Sequence, residues 1–378
     1  MNLRFKIKIK IELIRLQNIR ANLFLVLSFA CYAQAQITVN TNKTVANMPN
    51  YSVSLSGNGN IMAIGIHEAT NNNTKSGRVR IYKSKSGVWS QVGHDIKGEA
   101  VGDYSGYSVS LSKDGTTVAI GAKHNHGRNG TNSGHVRVYK NNSGVWKQIG
   151  GDIDGEAEGD WSGYSVSLSG DGAIVAIGAV LNNGNGENSG HVRVYKNNSG
   201  VWTQVGADIN GKAAKDYFGT SVSLSNNGSI LAVGAHQGGV LTGYVSVYKN
   251  ISGNWEQIGN DITGEPKDNF LGWNISLSSN GATVATAAYK DNKKGKRHAY
   301  VRMYQTKGGA WVQKGTDIDG KTTGYDVLGF NNISLGKDTI TLLGAYDKDR
   351  GKHTPIINYV RVYKYNSSNI WKQINTDI

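Results

Sequence analysis

The chain has 378 residues, of which 50 are glycine, 3 are proline and 38% are hydrophobic; no three-residue glycine period runs through it, so collagen is excluded, and the apolar content argues against disorder. The formal net charge is +14 and the one cysteine is Cys31, which excludes cysteine-ligated zinc, iron–sulfur clusters and thiol catalysis once that residue is removed with a leader. An exported chain without cysteine must be held by its core and backbone pairing, which a large repeat fold manages and a small domain usually does not.

Residues 1–35 read as a secretory signal peptide. Arg4, Lys6, Lys8, Lys10, Arg15 and Arg20 precede the apolar run ANLFLVLSFACYAQAQ, and Ala33, Gln34 and Ala35 offer a small-x-small cleavage pattern that puts the mature start near Gln36. The run is too short to span a bilayer, so no transmembrane segment is expected. The competing reading is an N-terminal strand or helix of the fold itself. Losing the leader removes six basic residues and one acid and lowers the charge from +14 to +9. Spread over the chain, that charge suits anionic surfaces or acidic polysaccharide better than nucleic acid, which wants a concentrated basic patch. Residues 36–50 hold one further strand-like phrase, ITVN, expected to cap a ring or supply an edge of its last sheet.

From Tyr51 onward a phrase set recurs with a period of 53 to 60 residues, in six copies. Each copy opens with SVSLS (52–56, 108–112, 165–169, 221–225), NISLS (274–278) or NISLG (332–336). A second phrase such as TVAIGA follows, then a third such as HVRVYK, then a fourth carrying Trp89, Trp146, Trp202, Trp255, Trp311 or Trp371. Large residues alternate with small or polar ones, the period of two that places them on opposite faces of a strand. KDG, GDG or NNG separates the first two phrases and NNSG or KSG the last two, connections that accept positive φ and close antiparallel hairpins. Four antiparallel strands per copy cannot bury two apolar faces alone, so the copies must pack face to face.

The expected fold is therefore an all-β propeller of six four-stranded blades, at about 51–106, 107–163, 164–219, 220–272, 273–329 and 330–378, with the SVSLS strand innermost and the Trp strand outermost. A seven-bladed ring with an incomplete last blade is the alternative, because the chain stops at the Asp-Ile dipeptide that elsewhere opens a connector; a linear solenoid is the other, disfavoured because its repeats are usually shorter.

These phrases resemble the FG-GAP repeat of integrin-like propellers, in the variety found in bacterial secreted surface proteins. The resemblance rests on Phe218-Gly219 and its counterparts Ser105-Gly106, Ser162-Gly163 and Leu271-Gly272, on SVSLS, on the Asp-Gly turn, and on the closing Gly-Ala at 121–122, 178–179, 234–235 and 344–345. It implies an extracellular binding scaffold without naming a ligand. In integrin-type repeats a long loop between the first two strands supplies carboxylates to calcium. Here that loop is Lys113-Asp114-Gly115 or Asn226-Asn227-Gly228, with at most one acid, too few for an ion that wants six to eight oxygens.

Alternate loops of an up-and-down blade share a rim, so the short hairpin turns lie on one rim and the variable second-to-third loops and the connectors on the other. The candidate ligand-binding residues are accordingly the connector aromatics Tyr104, Trp161, Tyr217, Phe270 and Tyr325, suited to stacking on sugars, with His124, His126 and Arg128 of one variable loop. Gap-filling between blades is the structural alternative for the aromatics. Asp152, Asp154, Glu156 and Asp160, with Glu158, superficially resemble a calcium loop, yet other connectors replace all but the first and last Asp, as turn and cap residues would be spaced. Arg80, Arg137, Arg193, Arg302 and Arg361 share one position in the third strand, with Ser246 the exception, and a repeated Arg–Asp contact is expected there. No catalytic motif and no cofactor signature stand out. The expectation is a non-enzymatic, monomeric, secreted or cell-surface binding or adhesion module for a glycan or an extracellular protein. A propeller-based polysaccharide-active enzyme and a structural spacer in a larger surface protein are the alternatives.

Overall fold

Alternation of Val and Leu with Ser along SVSLS gives a strand with one greasy and one hydroxyl-bearing face, and the hydroxyls turn out to join one sheet to the next. The computed structural model describes residues 51–71, 74–237, 242–264, 268–291, 297–320, 325–329, 332–336, 339–347, 357–366 and 368–374. The expected leader and the 36–50 segment lie outside them. The chain forms an all-β propeller of six antiparallel sheets in sequence order. In the first sheet Tyr51–Leu55 pairs with Ile61–Ile66, that strand with Arg78–Lys85, and that in turn with Val88–Gln91. The same order recurs through Trp371–Gln373. No helix among the described residues is long and apolar enough to cross a membrane.

One detail was not expected. The Asp-Ile phrase that reads as the start of a connector returns to the sheet, where Ile96–Lys97 pairs with Val79 and Arg78. The fourth strand is thus broken by a bulge at Val92 to Asp95, where Gly93 takes φ 72°, and then resumes. Equivalent pairs recur at Ile153–Asp154, Ile209–Asn210, Ile262–Thr263 and Ile318–Asp319.

Each described sheet-to-sheet junction has its own core. Ala119, Val136, Val138 and Ile153 of the second sheet meet Leu168, Val175 and Ile177 of the third, all buried. Similar sets lie at the other four junctions. Burying an Ile or Val of this kind is worth about 1.5–3 kcal/mol.

Polar contacts then fix the spacing. The serine just before the Leu in each of the first five phrases accepts the next sheet's Leu amide: Ser54 from Leu111, Ser110 from Leu168, Ser167 from Leu224, Ser223 from Leu277 and Ser276 from Leu335, at 2.9–3.1 Å. The first serine donates to a glycine carbonyl of the next sheet, as Ser108 does to Gly163 at 2.8 Å. On the hairpin rim a relay of backbone bonds links successive turns, from Gly57 to Lys113, Gly170, Asn226 and Ser279. At the outside, the indoles of Trp146, Trp202, Trp255, Trp311 and Trp371 donate to Val92, Ile149, Val205, Ile258 and Lys314 of the preceding sheet at 2.8–3.0 Å. These five tryptophans thus bridge neighbouring blades.

Close approach explains the two glycine signatures. A Cβ on Gly121 would stand 2.1 Å from the Gly163 carbonyl oxygen, and one on Gly178 2.2 Å from that of Gly219. The Gly-Ala glycine of one blade and the glycine that opens the next are therefore two sides of one contact. At the fifth blade the sequence carries Ala287 instead, and Gly329 is 3.4 Å from its Cβ when given one of its own.

Candidate binding rim

Topology puts the second-to-third loops and the connectors together. Parallel bridges join them directly at Gly77 with Ser105, Gly134 with Ser162, Gly190 with Phe218 and Gly243 with Leu271. The connector then turns sharply into the innermost strand. Tyr104, Trp161, Tyr217 and Phe270 make that turn with φ of 56°, 57°, 53° and 62°, a region disfavoured for bulky side chains. Each carbonyl accepts from the amide three residues on, at Tyr107, Tyr164, Thr220 and Trp273. The strained backbone turns each aromatic ring toward the end of the neighbouring second strand.

Those rings assemble into two clusters. In the first, Tyr104 lies 4.7 Å from His124 and 5.7 Å from His67, and His124 lies 5.1 Å from Trp161. Tyr107 and Tyr164 complete it, 5.1 Å apart. At its centre the Lys123 ammonium stands 3.7 Å from the Tyr107 ring centroid, 4.5 Å from Trp161 and 5.1 Å from Tyr164. Lys123 is 8% exposed and makes no ion pair among the described residues. Burial lowers its pKa to about 8, which still leaves it mainly charged at neutral pH. Burial also depresses His67 and His124, with the Lys123 charge adding to the effect.

The second cluster surrounds His236, with Trp273 at 4.7 Å, Tyr217 at 5.4 Å and Phe270 at 6.0 Å, and Tyr289 6.3 Å beyond Phe270. Burial takes His236 down to about 4. The Thr220 hydroxyl donates to the Tyr217 carbonyl at 2.6 Å and lies 2.7 Å from His236 Nδ1. Its one proton being committed, the imidazole must donate from Nδ1, and Nε2 accepts from Gln237 at 3.2 Å. That polarity is the reverse of what a base activating a hydroxyl requires. Between the clusters the third blade presents Val180, buried, and Leu181.

The other sequence candidates fall as follows. Tyr325 pairs with Asp347 in the last sheet. His126 is exposed and its ring bonds the His124 carbonyl at 2.9 Å, while Arg128 is exposed on the same loop. Lys123, His67, His236, Tyr107, Tyr164 and Trp273 were not singled out by sequence reasoning. Their signal was available: they occupy the position just after the second-strand phrase or just before the SVSLS or NISLS strand, where identity changes from copy to copy.

The second connector's acids diverge. Asp160 caps its own turn, accepting from the Ala157 amide at 3.1 Å and from Asn182 at 3.0 Å. Asp103 and Asp216 do the same in their connectors. Asp154 offers its backbone carbonyl to Arg193 at 2.7 Å. Asp152 instead joins Glu99 and His135, and Glu156 joins His191 and Asp208, so these two acids of one connector serve different junctions. The arginine position is split as well. Arg80 and Arg302 reach Asp95 and Asp317 at 2.9 and 2.6 Å, whereas Arg137 and Arg193 turn to Glu99 and Glu156 at 3.2 and 3.4 Å.

A model of the FG-GAP repeat matches residues 97–139 and 153–195. Against curated proteins the sequence has no match. Among solved structures, the periplasmic gluconolactonase of Pseudomonas aeruginosa is similar at 13% identity and TM-score 0.54, over 89% of this chain and 87% of that one. Kuenenia stuttgartiensis hydrazine synthase is similar at 12% identity and TM-score 0.52, over 86% of this chain and 79% of the other. Identities this low carry the propeller fold and nothing of those proteins' chemistry.

Proposed function

Because this chain is a six-bladed β-propeller whose residues 97–139 and 153–195 match the FG-GAP repeat, we propose that it is an exported, non-catalytic binding module that takes a carboxylated glycan at the aromatic, basic inner edge of its variable rim. The observation that carries this reading is Lys123, a buried ammonium faced by three aromatic rings and balanced by no carboxylate among the described residues. Buried charges are ordinarily paired, so a site of this kind is completed by an anion, and ring faces beside it suit the flat apolar faces of sugars. Export rests on the N-terminal leader pattern. The committed proton of Thr220 favours binding over hydrolysis at the second cluster.

Titration calorimetry with oligogalacturonate, and with a neutral cello-oligosaccharide of the same length, tests the proposal. The acidic ligand is expected to bind more tightly, with Lys123→Gln erasing the difference and Trp161→Ala weakening both by tenfold or more. Absence of binding to either ligand, or affinities unchanged in both variants, would overturn it. Release of shorter products during incubation would replace a binding role by an enzymatic one.

A further inference from the structure

At five positions a connector Asp sits in the same structural place, held by a Gln of the fourth strand, and its partners can be compared. Asp95 meets both Arg78 and Arg80, at 3.2 and 2.9 Å. Asp317 meets Arg302 and the Lys290 ammonium, and Asp261 meets the Lys212 ammonium. At the second and third blades the arrangement changes. Asp152, fixed by Gln148 at 2.7 Å, faces the imidazole of His135, and Asp208, fixed by Gln204 at 2.7 Å, faces that of His191. A glutamate of the preceding connector, Glu99 or Glu156, joins each pair. Position for position, those glutamates stand where Lys212 stands at the next junction, and the histidines where Tyr244 stands. At three of these positions a Lys or Arg reaches the connector Asp, and at the other two a His and a Glu stand beside it.

We propose that these two equivalent triads, Glu99, His135, Asp152 and Glu156, His191, Asp208, each bind a divalent transition-metal ion of the zinc type. The ligand atoms of each triad lie within 4.8 Å of one another. His135 Nδ1 is 3.7 Å from Asp152 and 3.9 Å from Glu99, and His191 Nδ1 is 3.7 Å from Glu156 and 3.9 Å from Asp208. These spacings are too long for hydrogen bonds, and only a few tenths of an ångström wider than neighbouring ligands of a tetrahedral zinc at about 2.0–2.2 Å from each donor. Both imidazoles are 1% exposed, and Nδ1 of each lies between two carboxylates while Nε2 is buried without a partner, so Nδ1 is the ring atom that can reach a metal there. Arg137 and Arg193 contact the remaining glutamate oxygen at 3.2 and 3.4 Å and so orient that ligand from outside. One nitrogen and two oxygens suit zinc or its neighbours rather than calcium. The glutamates, 45% and 41% exposed, leave a coordination position open to water.

The test is zinc uptake by the chelator-stripped full chain at pH 7, followed by calorimetry and by elemental counting of bound metal. Two equivalents are expected, falling to one in His135→Gln or His191→Gln and to none in the double variant. Glu99→Lys with Glu156→Lys, which installs on an exposed position the ammonium found at Lys212, is expected to abolish uptake while the circular dichroism spectrum stays unchanged. No saturable uptake by the wild type, or two equivalents retained in either double variant, would overturn the proposal. Neither outcome bears on glycan binding at Lys123.

Discussion

Lys123 is held charged in a place that water barely reaches, and its titration should be visible in stability. A base whose folded pKa lies below its unfolded value binds fewer protons when folded, so its burial penalty is present in full below the folded pKa and disappears as pH rises past the unfolded one. With about 8 in the fold against 10.5 as the ordinary value, the relief falls between those limits. Its size is on the order of 3 kcal/mol. Urea unfolding of the wild type and Lys123→Met at pH 7.5 and pH 10 is expected to show the wild type closing on the variant at the higher pH, and parallel behaviour would contradict that. Gly178 makes the opposite case, where space rather than charge decides. A methyl there meets the Gly219 carbonyl at 2.2 Å, and backbone cannot step aside as a flexible side chain would. Gly178→Ala should cost on the order of 2–4 kcal/mol, an overpacking cost of about 1–3 kcal/mol added to about 1 kcal/mol for a lost inter-blade hydrogen bond. These residues also mark the limit of sequence reading. The recurrence of Gly-Ala was plain, but that its glycine faces a glycine about forty residues on needed coordinates, as did the three rings that converge on Lys123.

Among elements, the Trp strand offers the cleanest division of packing from hydrogen bonding. Trp202 bonds the Ile149 carbonyl at 2.8 Å and packs on the core of the preceding junction. Trp202→Phe keeps most of the packing and should cost about 1 kcal/mol, while Trp202→Ala should cost about 3 kcal/mol, both read as shifts of the urea midpoint at constant slope. Ser167→Ala, which leaves the Leu224 amide without its 3.0 Å acceptor at a junction between inner strands, should cost on the order of 1–3 kcal/mol. Strand order, the inner place of SVSLS and the outer place of Trp were legible because period-two alternation states which face is buried. The broken fourth strand was not, since Val92 to Asp95 interrupts the alternation and makes the Ile96–Lys97 return look like loop. The Arg–Asp expectation held at Arg80 and Arg302 and gave way at Arg137 and Arg193, where a connector glutamate competes for the guanidinium.

For the whole molecule, every described junction carries the same serine bond to a Leu amide, the same indole bond and its own apolar core, so no junction is an obvious domain boundary. Repeat arrays with strong nearest-neighbour terms unfold together. Tryptophan fluorescence, which reports the junctions, and far-ultraviolet circular dichroism, which reports the strands, should therefore give coincident urea transitions; a fluorescence change that precedes the other would mean that blades part before they melt. The same architecture sends what varies between copies to one side and keeps the other side a uniform chain of hairpin turns. Hydrogen–deuterium exchange with and without saturating oligogalacturonate examines that division most directly. Protection is expected over residues 104–107, 123–126 and 161–164, with turns 56–59, 112–115 and 169–172 unchanged; protection confined to those turns, or spread equally over both rims, would contradict it.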